Sequence, residues 1–344
     1  MKKLLAAGIA AASMVMAAGA ALADGELNIF NWGDYTSPEM IKKFEETYKV
    51  KVTITDYDSN DTALAKVRAG GHGFDIVVPS ANYVPIFVKE GLLLESRPDQ
   101  MENFKNVDER WVNVEWDPGR HYSVPWQWGL TGIGVNKTVY SGDIHTSAIF
   151  LDPPAELVGK INVAPEMNDV MYATIRYMGG KWCTDDKEVL KKVHEKLKEA
   201  KPKWLAMDYS AHEKMANREY SAVYYWNGAM LRARLQNPEV NFGFPKEGYP
   251  FFMDSAAILK DAKNMENAKL FLNFIMAPEN AAMLSNFAKY ANGIKGSEAC
   301  MDAELKGAPE ITPTPEQAVA GEFMLPCAPE VTEIYTKIWT DVLK

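Results

Sequence analysis

The sequence predicts an α/β protein built as two hinged lobes with a cleft between them. Strand-like and helix-like segments alternate between residues 26 and 80. This β-α-β-α-β order is typical of a largely parallel sheet with helices on both faces. Residues 124–136 then change to aromatics followed by Thr and Gly, which fits a crossing to a second lobe. Paired helix-like segments over residues 264–293 fit a return to the first lobe.

The first lobe is expected to begin with the strand "ELNIFNW" and the helix "TSPEMIKKFEETY", with Thr36 or Ser37 as its N-cap and Pro38 in its first turn. A strand, a helix and a buried strand follow in "VKVTITDY", "NDTALAKVRAG" and "FDIVVPS". The second lobe is expected to hold the charged helix "DKEVLKKVHEKLKEAK" and the strand "YSAVYYWNG". The expected lobes comprise residues 24–131 with 252–292, and residues 132–251 with 293–344.

The loops that follow the first three strands are the expected ligand-binding positions. Open α/β sheets bind ligands beyond the carboxyl ends of their strands. These positions are Trp32 to Tyr35, Asp58 to Asn60 and Ser80 to Tyr83.

The N-terminus has the pattern of an export signal. Lys2 and Lys3 precede an apolar run that ends in Ala21-Leu22-Ala23, so we expect cleavage after Ala23 and a mature protein outside the cytoplasm. Removing residues 1–23 takes away two of the 37 basic residues and none of the 46 acidic ones, so the net charge changes from −9 to −11. This acidic balance argues against binding to nucleic acid, whose phosphates require clustered basic residues.

The three cysteines are an odd number for an oxidising compartment. Cys300 and Cys327 both lie in the irregular C-terminal segment, so we expect a disulfide between them and a free Cys183. The five histidines share no metal-ligand spacing, and no zinc site or cofactor is expected.

Catalytic motifs are absent from the sequence. It contains no G-x-S-x-G elbow, no G-x-x-x-x-G-K phosphate loop, no H-E-x-x-H and no Gly-rich dinucleotide fingerprint. Binding without chemistry is therefore the expected function class.

Aromatic rings and carboxylates recur at the predicted strand ends. The π-face of a ring attracts an ammonium group and also packs against methylenes, while a carboxylate fixes the charge by hydrogen bonding. This mixture suits an alkyl chain that carries ammonium groups. We expect Asp34 to cap the following helix, and Trp126 and Trp128 to serve in packing. The full set is Trp32, Asp34, Tyr35, Tyr83, Trp126, Trp128, Glu166, Asp169, Trp226, Phe252, Asp254 and Tyr290.

Several segments resemble the spermidine/putrescine-binding proteins of ABC transporters. "NIFNWGDY", "FDIVVPSANYV", "VPWQWGLTGIGVN", "YYWNGAMLRAR", "PKEGYPFFMDSAAI" and "KYANG" come in the order and spacing of that family, from Leu27 to about Val342. The resemblance implies a periplasmic-binding-protein fold and a monomer that closes around a polyamine or diamine. It also implies an inner-membrane ABC permease as partner and no enzymatic activity.

The resemblance also implies roles for individual residues. Asp254 of M-D-S would hold an amino group, and Asp169 and Glu166 would supply acids at the other end of the site. The remaining positions would form the walls around the ligand. These are Trp32, Tyr35, Ser80, Trp226, Phe252 and Tyr290.

Three positions depart from the family pattern. Met324 stands in place of an amide, Asn82 in place of a tyrosine, and Ala229 where some putrescine-type members have an extra Asp. The length of the ligand and its number of amines therefore do not transfer from the family.

Alternatives from other classes stay open. A zwitterion such as 4-aminobutyrate or a betaine would need a cation in the cleft, for which the candidates are Arg120, Arg218, Arg232 and Arg234. Tyr224 and Tyr225 suggest a ferric-iron binder, although alternation along a strand would send them to opposite faces. An exported hydrolase would need an activated nucleophile, which the sequence does not indicate.

Overall fold

The structure is a computed structural model that describes residues 25–344. The predicted signal peptide, residues 1–23, lies outside the described residues. No helix within residues 25–344 is long and apolar enough to cross a bilayer.

The structure contains eleven strands within the described residues. They are β1 (Gly25–Trp32), β2 (Val50–Tyr57), β3 (Ile76–Val77), β4 (Asn113–Val114), β5 (Asp117–Pro118), β6 (Ser123–Asn136), β7 (Ile161–Val163), β8 (Ala222–Trp226), β9 (Val240–Gly243), β10 (Tyr249–Ile258) and β11 (Gly321–Phe323).

Twelve α-helices accompany these strands in the same part of the chain. They are α1 (Pro38–Tyr48), α2 (Asn60–Arg68), α3 (Val84–Lys89), α4 (Ala148–Leu151), α5 (Met167–Tyr177), α6 (Lys187–Ala200), α7 (Ala211–Ala216), α8 (Asn227–Gln236), α9 (Met265–Ile275), α10 (Pro278–Ala288), α11 (Pro315–Ala318) and α12 (Pro329–Leu343). Short 3-10 helices occur at Pro98–Gln100, Glu102–Asn106, Glu109–Trp111, Lys201–Lys203 and Ser297–Cys300.

The main sheet joins its strands in the order β2-β1-β3-β10-β6-β8-β7, with β11 beside β10 and β9 beside β6. The pairs β1–β2, β1–β3 and β7–β8 are parallel, as the alternating pattern predicts. The two long strands β6 and β10 run antiparallel to each other and to their other neighbours in this order, so the sheet is mixed. The α/β class and the flanking helices are confirmed.

Strand β6 connects the two ends of the sheet. Its first half pairs with β10 over Ser123–Leu130, and its second half pairs with β8 from Thr131 onward. Nearly every residue of the strand is buried. It therefore occupies the segment where the sequence predicts a crossing.

Two large apolar cores lie on either side of the sheet centre. The first core gathers residues of β1, β3, α1, α9 and β10, including Leu27, Phe44 and Phe271. The second core gathers residues of β7, β8, α5, α6 and α12, including Val163 and Val193. The lobe boundaries given above stay a prediction.

The predicted cysteine pairing is wrong. The disulfide joins Cys183 to Cys327, and Cys300 is free and exposed. Cys183 lies between α5 and α6, and Cys327 lies just before α12, which packs on both helices. This packing brings two cysteines 144 positions apart in sequence to a Cα separation of 5.2 Å. Proximity along the chain was thus a poor guide to the pairing.

Candidate functional site

A cleft lies where the ends of β1, β2 and β3 meet β10 and the starts of α5 and α8. All nine residues that the sequence predicts as ligand-binding line this cleft: Trp32, Tyr35, Ser80, Glu166, Asp169, Trp226, Phe252, Asp254 and Tyr290. Asp254 sits at a shift in register between β10 and β6, an irregularity of the kind that re-aims side chains.

A chain of hydrogen bonds links Asp254 to Glu166 across the cleft. The Ser80 hydroxyl donates to Asp254 Oδ1 at 2.6 Å, and the Asn60 amide donates to the Ser80 hydroxyl oxygen at 3.0 Å. The backbone N–H of Asn60 donates to Glu166 Oε2 at 3.2 Å. Asn60 lies on the side of the cleft that the first core forms, and Glu166 lies just before α5 on the side that the second core forms. These hydrogen bonds therefore join the two sides of the cleft.

Asp169 is held by two side chains. The Thr131 hydroxyl donates to its Oδ2 at 2.9 Å, and the Trp226 indole N–H donates to the same oxygen at 2.8 Å. These bonds leave Oδ1 of Asp169 available to another donor. Asp169 lies in the first turn of α5 and Glu166 is its N-cap residue, where the helix dipole favours negative charge.

The three carboxyl groups are buried close to one another, and none is within ion-pair distance of a basic side chain of residues 25–344. Burial raises the pKa of Asp254 to about 7, against the lowering effect of the Ser80 hydrogen bond, and the Asp169 charge adds to the rise. Burial likewise raises the pKa of Asp169 to about 6. Burial, and then the charge of Asp169, raise the pKa of Glu166 well above its ordinary value. Burial in the cleft therefore disfavours the ionised form of these three carboxyl groups, and a bound cation would favour it again.

Aromatic rings surround these carboxyl groups in two sets. Trp32 packs edge-on against Trp226 at 6.0 Å between ring centroids, and Tyr209 stacks beside Trp32 at 6.4 Å. On the other side, Tyr290 lies edge-on to both Tyr35 and Phe252, at 5.3 and 5.9 Å. Both sets line the cleft, so they supply apolar ring surface against which an alkyl chain can pack.

The Tyr35 hydroxyl is buried beside Asp254. Burial raises the pKa of this phenol, and the nearby Asp254 carboxyl group raises it further. Within residues 25–344 it makes no well-formed hydrogen bond. A ligand donor or acceptor at this position would satisfy it.

The cleft also contains two basic side chains. Arg232 and His212 line it beside Gly33 and Asp34. The Arg232 guanidinium reaches the Asp34 carbonyl oxygen at 3.5 Å, and the Tyr209 hydroxyl donates to the Gly33 carbonyl oxygen at 3.0 Å. Burial, and then the charge of Arg232, lower the pKa of His212 to about 4, so this imidazole is neutral at neutral pH.

Some residues highlighted in the sequence lie elsewhere. Trp126 is in the first core and Trp128 packs on Trp111 and Phe251, so both serve in packing as expected. Tyr83 lies outside the cleft and donates to Asp61.

The expectation that Asp34 caps a helix is wrong. The cap of α1 is Ser37, whose hydroxyl accepts from the Met40 N–H at 3.2 Å. Asp34 has a φ of 53°, turns the chain after β1 and lines the cleft.

Other residues also line the cleft. Asn60, three residues after the end of β2, is one of the expected strand-end positions. Arg232 and Tyr225 are among the candidates for a zwitterion site and an iron site. Tyr209 and His212 were not predicted, because they come from the loop between α6 and α7 and from α7 itself, a region with no strand-end pattern. The three positions that depart from the family pattern, Asn82, Ala229 and Met324, also line the cleft.

The adjacent tyrosines do not converge on one point. The Tyr224 hydroxyl donates to the Asp169 carbonyl oxygen in the second core, whereas Tyr225 faces the cleft. The described residues contain no group of three His, Cys, Asp or Glu side chains arranged to hold a metal ion.

Comparisons with known proteins place the chain in a family. The model of a family described as bacterial extracellular solute-binding protein matches residues 39–313. The spermidine/putrescine-binding periplasmic protein of Escherichia coli (strain K12) is 31% identical over 325 residues, which cover 94% of this chain and 92% of that protein. A putrescine-binding periplasmic protein of the same organism is 29% identical, with 99% and 98% covered.

A solved structure described as a putative spermidine/putrescine ABC transporter from Listeria monocytogenes is similar over 92% of this chain and 98% of its own. Its TM-score is 0.87 at 27% identity. The fold is therefore the periplasmic-binding-protein fold, and the predicted resemblance is confirmed. The chain belongs to the bacterial extracellular solute-binding protein family, as the non-enzymatic component of an ABC transporter that binds a small molecule for its permease.

Proposed function

We propose that this protein is a periplasmic receptor for a diamine or polyamine of the putrescine and spermidine class. The ligand lies in the cleft, the two cores close around it as lobes, and the closed form is presented to the permease. Asp254 meets one amino group, and Asp169 with Glu166 meets the other. Trp32, Tyr35, Trp226 and Phe252 enclose the methylenes.

The observation that carries this proposal is the group of three buried carboxyl groups, which have no basic partner within residues 25–344. Burying an unpaired charge is costly, so such groups are stabilised only when a cation enters or when they are protonated. A ligand with two ammonium groups neutralises them, and the surrounding rings add attraction of ~0.5 to 2 kcal/mol each. The names of the related proteins support the same ligand class.

A zwitterionic amine is the second candidate, because one of the four candidate arginines does line the cleft. Arg232 is placed to meet a carboxylate. Arg120 is buried against Trp111 and Ser255, Arg234 pairs with the buried Glu310, and Arg218 is exposed outside the cleft. Asp34, Glu166, Asp169 and Asp254 all line the cleft beside one arginine, and this excess of acids favours the diamine.

Thermal shift of the mature protein tests the proposal. A ligand that binds only the folded state raises its apparent stability by RT ln(1 + [L]/Kd). The panel comprises putrescine, cadaverine, agmatine, spermidine, spermine and 4-aminobutyrate. We expect a shift with the amines that lack a carboxylate. A shift with 4-aminobutyrate alone would assign the site to a zwitterion, and no shift with any compound would refute an amine receptor.

A further inference from the structure

The cleft holds one positive charge apart from its buried acids. Glu166 and Asp254 each lie close enough to Asp169 for its charge to raise their pKa. Arg232 lines the same cleft, and its guanidinium reaches the Asp34 carbonyl oxygen and makes no ion pair with Glu166, Asp169 or Asp254 within residues 25–344. The Tyr290 phenol lies within range of Arg232 as well as of Asp254 and Asp169.

The position of Arg232 on α8 explains this separation. Trp226, whose indole binds Asp169, precedes α8 directly, and Arg232 follows it by six residues. At 1.5 Å per residue the two backbone positions are about 9 Å apart along the helix axis. The long side chain then extends across the cleft to the Gly33–Asp34 turn on the first-core side.

The charge of Arg232 is poorly compensated. Its Nε is buried without a hydrogen-bond partner in the described part of the chain, and its contact with the Asp34 carbonyl oxygen is long, at 3.5 Å. The Asp34 carboxylate lies outside ion-pair distance, and the neighbouring His212 is neutral. A further positive charge brought to this end would meet Arg232 in a half-buried site, where charge repulsion is less screened than in water.

Chain length decides which ligand brings a charge there. A diamine places both of its ammonium groups at the three-acid end and leaves the Arg232 end to its methylenes or to water. A triamine that uses the same acids must extend its remaining aminoalkyl arm along the cleft. Arg232 lies beside the Gly33–Asp34 turn, to which Tyr209 is also hydrogen-bonded, so an arm that extends toward this turn meets the guanidinium charge.

We propose that Arg232 is a specificity-determining residue that limits this receptor to diamines by repelling the third ammonium group of a triamine. This inference rests on the proposed function and narrows its ligand class.

Titration calorimetry with putrescine and spermidine tests the inference on four proteins: wild type, Arg232→Gln, Arg232→Lys and Arg218→Gln. Arg218 is exposed and outside the cleft, so its variant controls for the loss of one positive charge. We expect Arg232→Gln to raise spermidine affinity about tenfold or more, which is about 1.4 kcal/mol, with a much smaller change for putrescine. Arg232→Lys and Arg218→Gln should keep the wild-type preference for putrescine.

A second measurement uses the wild-type protein with a modified ligand, so it does not depend on whether a variant folds. Spermidine acetylated on the amine of its aminopropyl arm is at least as long as spermidine but carries no charge at that end. We expect wild type to bind it about tenfold more tightly than spermidine. Equal exclusion of both compounds would mean that length, not charge, sets the limit, and would overturn the inference.

Other results distinguish a failure of the role of Arg232 from a failure of the proposed function. Wild type that binds putrescine, but whose preference is unchanged in Arg232→Gln, would overturn the role of Arg232 and leave the amine receptor standing. Tight binding of 4-aminobutyrate that is lost in Arg232→Gln would make Arg232 an anion partner and overturn the inference as well. Wild type that binds neither amine would overturn both the inference and the proposed function.

Discussion

Asp254 is the residue on which the proposed binding chemistry depends most. It is 4% exposed, accepts a hydrogen bond from Ser80 and lies beside the Tyr35 hydroxyl. We expect Asp254→Asn to weaken putrescine binding by roughly 1.5 to 3 kcal/mol, the range for a hydrogen bond to a charged group. The loss would be larger if the ammonium group stayed buried and unpaired.

Calorimetry of Asp254→Asn beside Asp185→Asn measures this effect. Asp185 is exposed outside the cleft and makes no side-chain hydrogen bond within the described chain, so its variant should bind as wild type does. Unchanged affinity in Asp254→Asn would remove Asp254 from the binding site.

The raised pKa values of the buried carboxyl groups predict a pH dependence. Asp254 and Asp169, with pKa values of about 7 and about 6, keep their protons longer in the folded than in the unfolded protein. Their contribution to the unfolding free energy of the ligand-free protein is therefore full below about pH 4 and is lost as the pH rises through about 6 to 7.

Diamine binding should show the opposite trend, because the ligand pairs with the ionised carboxylates. We expect affinity to rise between about pH 5 and about pH 8 and proton release to accompany binding in that window. Calorimetry in buffers of different ionisation enthalpy counts the protons. Affinity that is flat over this range would contradict a site built on these carboxyl groups.

The sequence predicts cleft residues that lie at strand ends. It does not predict residues that packing between distant segments brings to the cleft. Trp32, Ser80 and Asp254 were found because strand order and the family motifs locate them. Tyr209 and His212 reach the cleft through a loop that carries no local pattern, although Asn162 of β7 holds this loop through Asp208. Asp34 was misread as a cap because an Asp after a strand serves equally well in a turn.

At the scale of elements, the disulfide ties the C-terminal segment to the α5–α6 connection. It encloses a long stretch of chain, and α12 buries Tyr335 and Trp339 in the second core just beyond it. Removing a disulfide of a secreted protein typically costs 2 to 5 kcal/mol. We therefore expect Cys183→Ser with Cys327→Ser to lower the unfolding free energy by about that amount.

Denaturant unfolding of the double variant beside Cys300→Ser makes the comparison. Cys300 is free and exposed, so its replacement should have little effect. Peptide mapping under non-reducing conditions should recover Cys183 linked to Cys327, and a Cys300–Cys327 peptide would contradict the structure.

At the scale of the whole molecule, the structure holds its two sides together around the cleft. The Tyr209 hydroxyl donates to the Gly33 carbonyl oxygen, and the Asn168 amide donates to the Tyr83 hydroxyl at 3.2 Å. Hydrogen bonds from Asn60 to Glu166, from Arg232 to Asp34 and from Ala229 to Tyr290 also cross the cleft, and each such bond is worth about 0.5 to 1.5 kcal/mol net. Because each contribution is small, the equilibrium between the open and the closed protein depends on how much more tightly the ligand binds the closed form.

Tyr209→Phe tests this balance, since it removes one bond across the cleft and keeps the ring beside Trp32. We expect it to weaken putrescine binding by about 0.5 to 1.5 kcal/mol, because more of the ligand's interaction energy is then used to close the protein. Small-angle scattering should show a smaller radius of gyration on saturation with ligand in both proteins, with more ligand needed in the variant. Tyr48→Phe is the matched control, since the Tyr48 hydroxyl makes no hydrogen bond within residues 25–344 and the ring packs on Phe44 far from the cleft. A radius of gyration that does not change with ligand would mean that the protein is already closed without it, and the weakened binding of Tyr209→Phe would then have to come from direct contact.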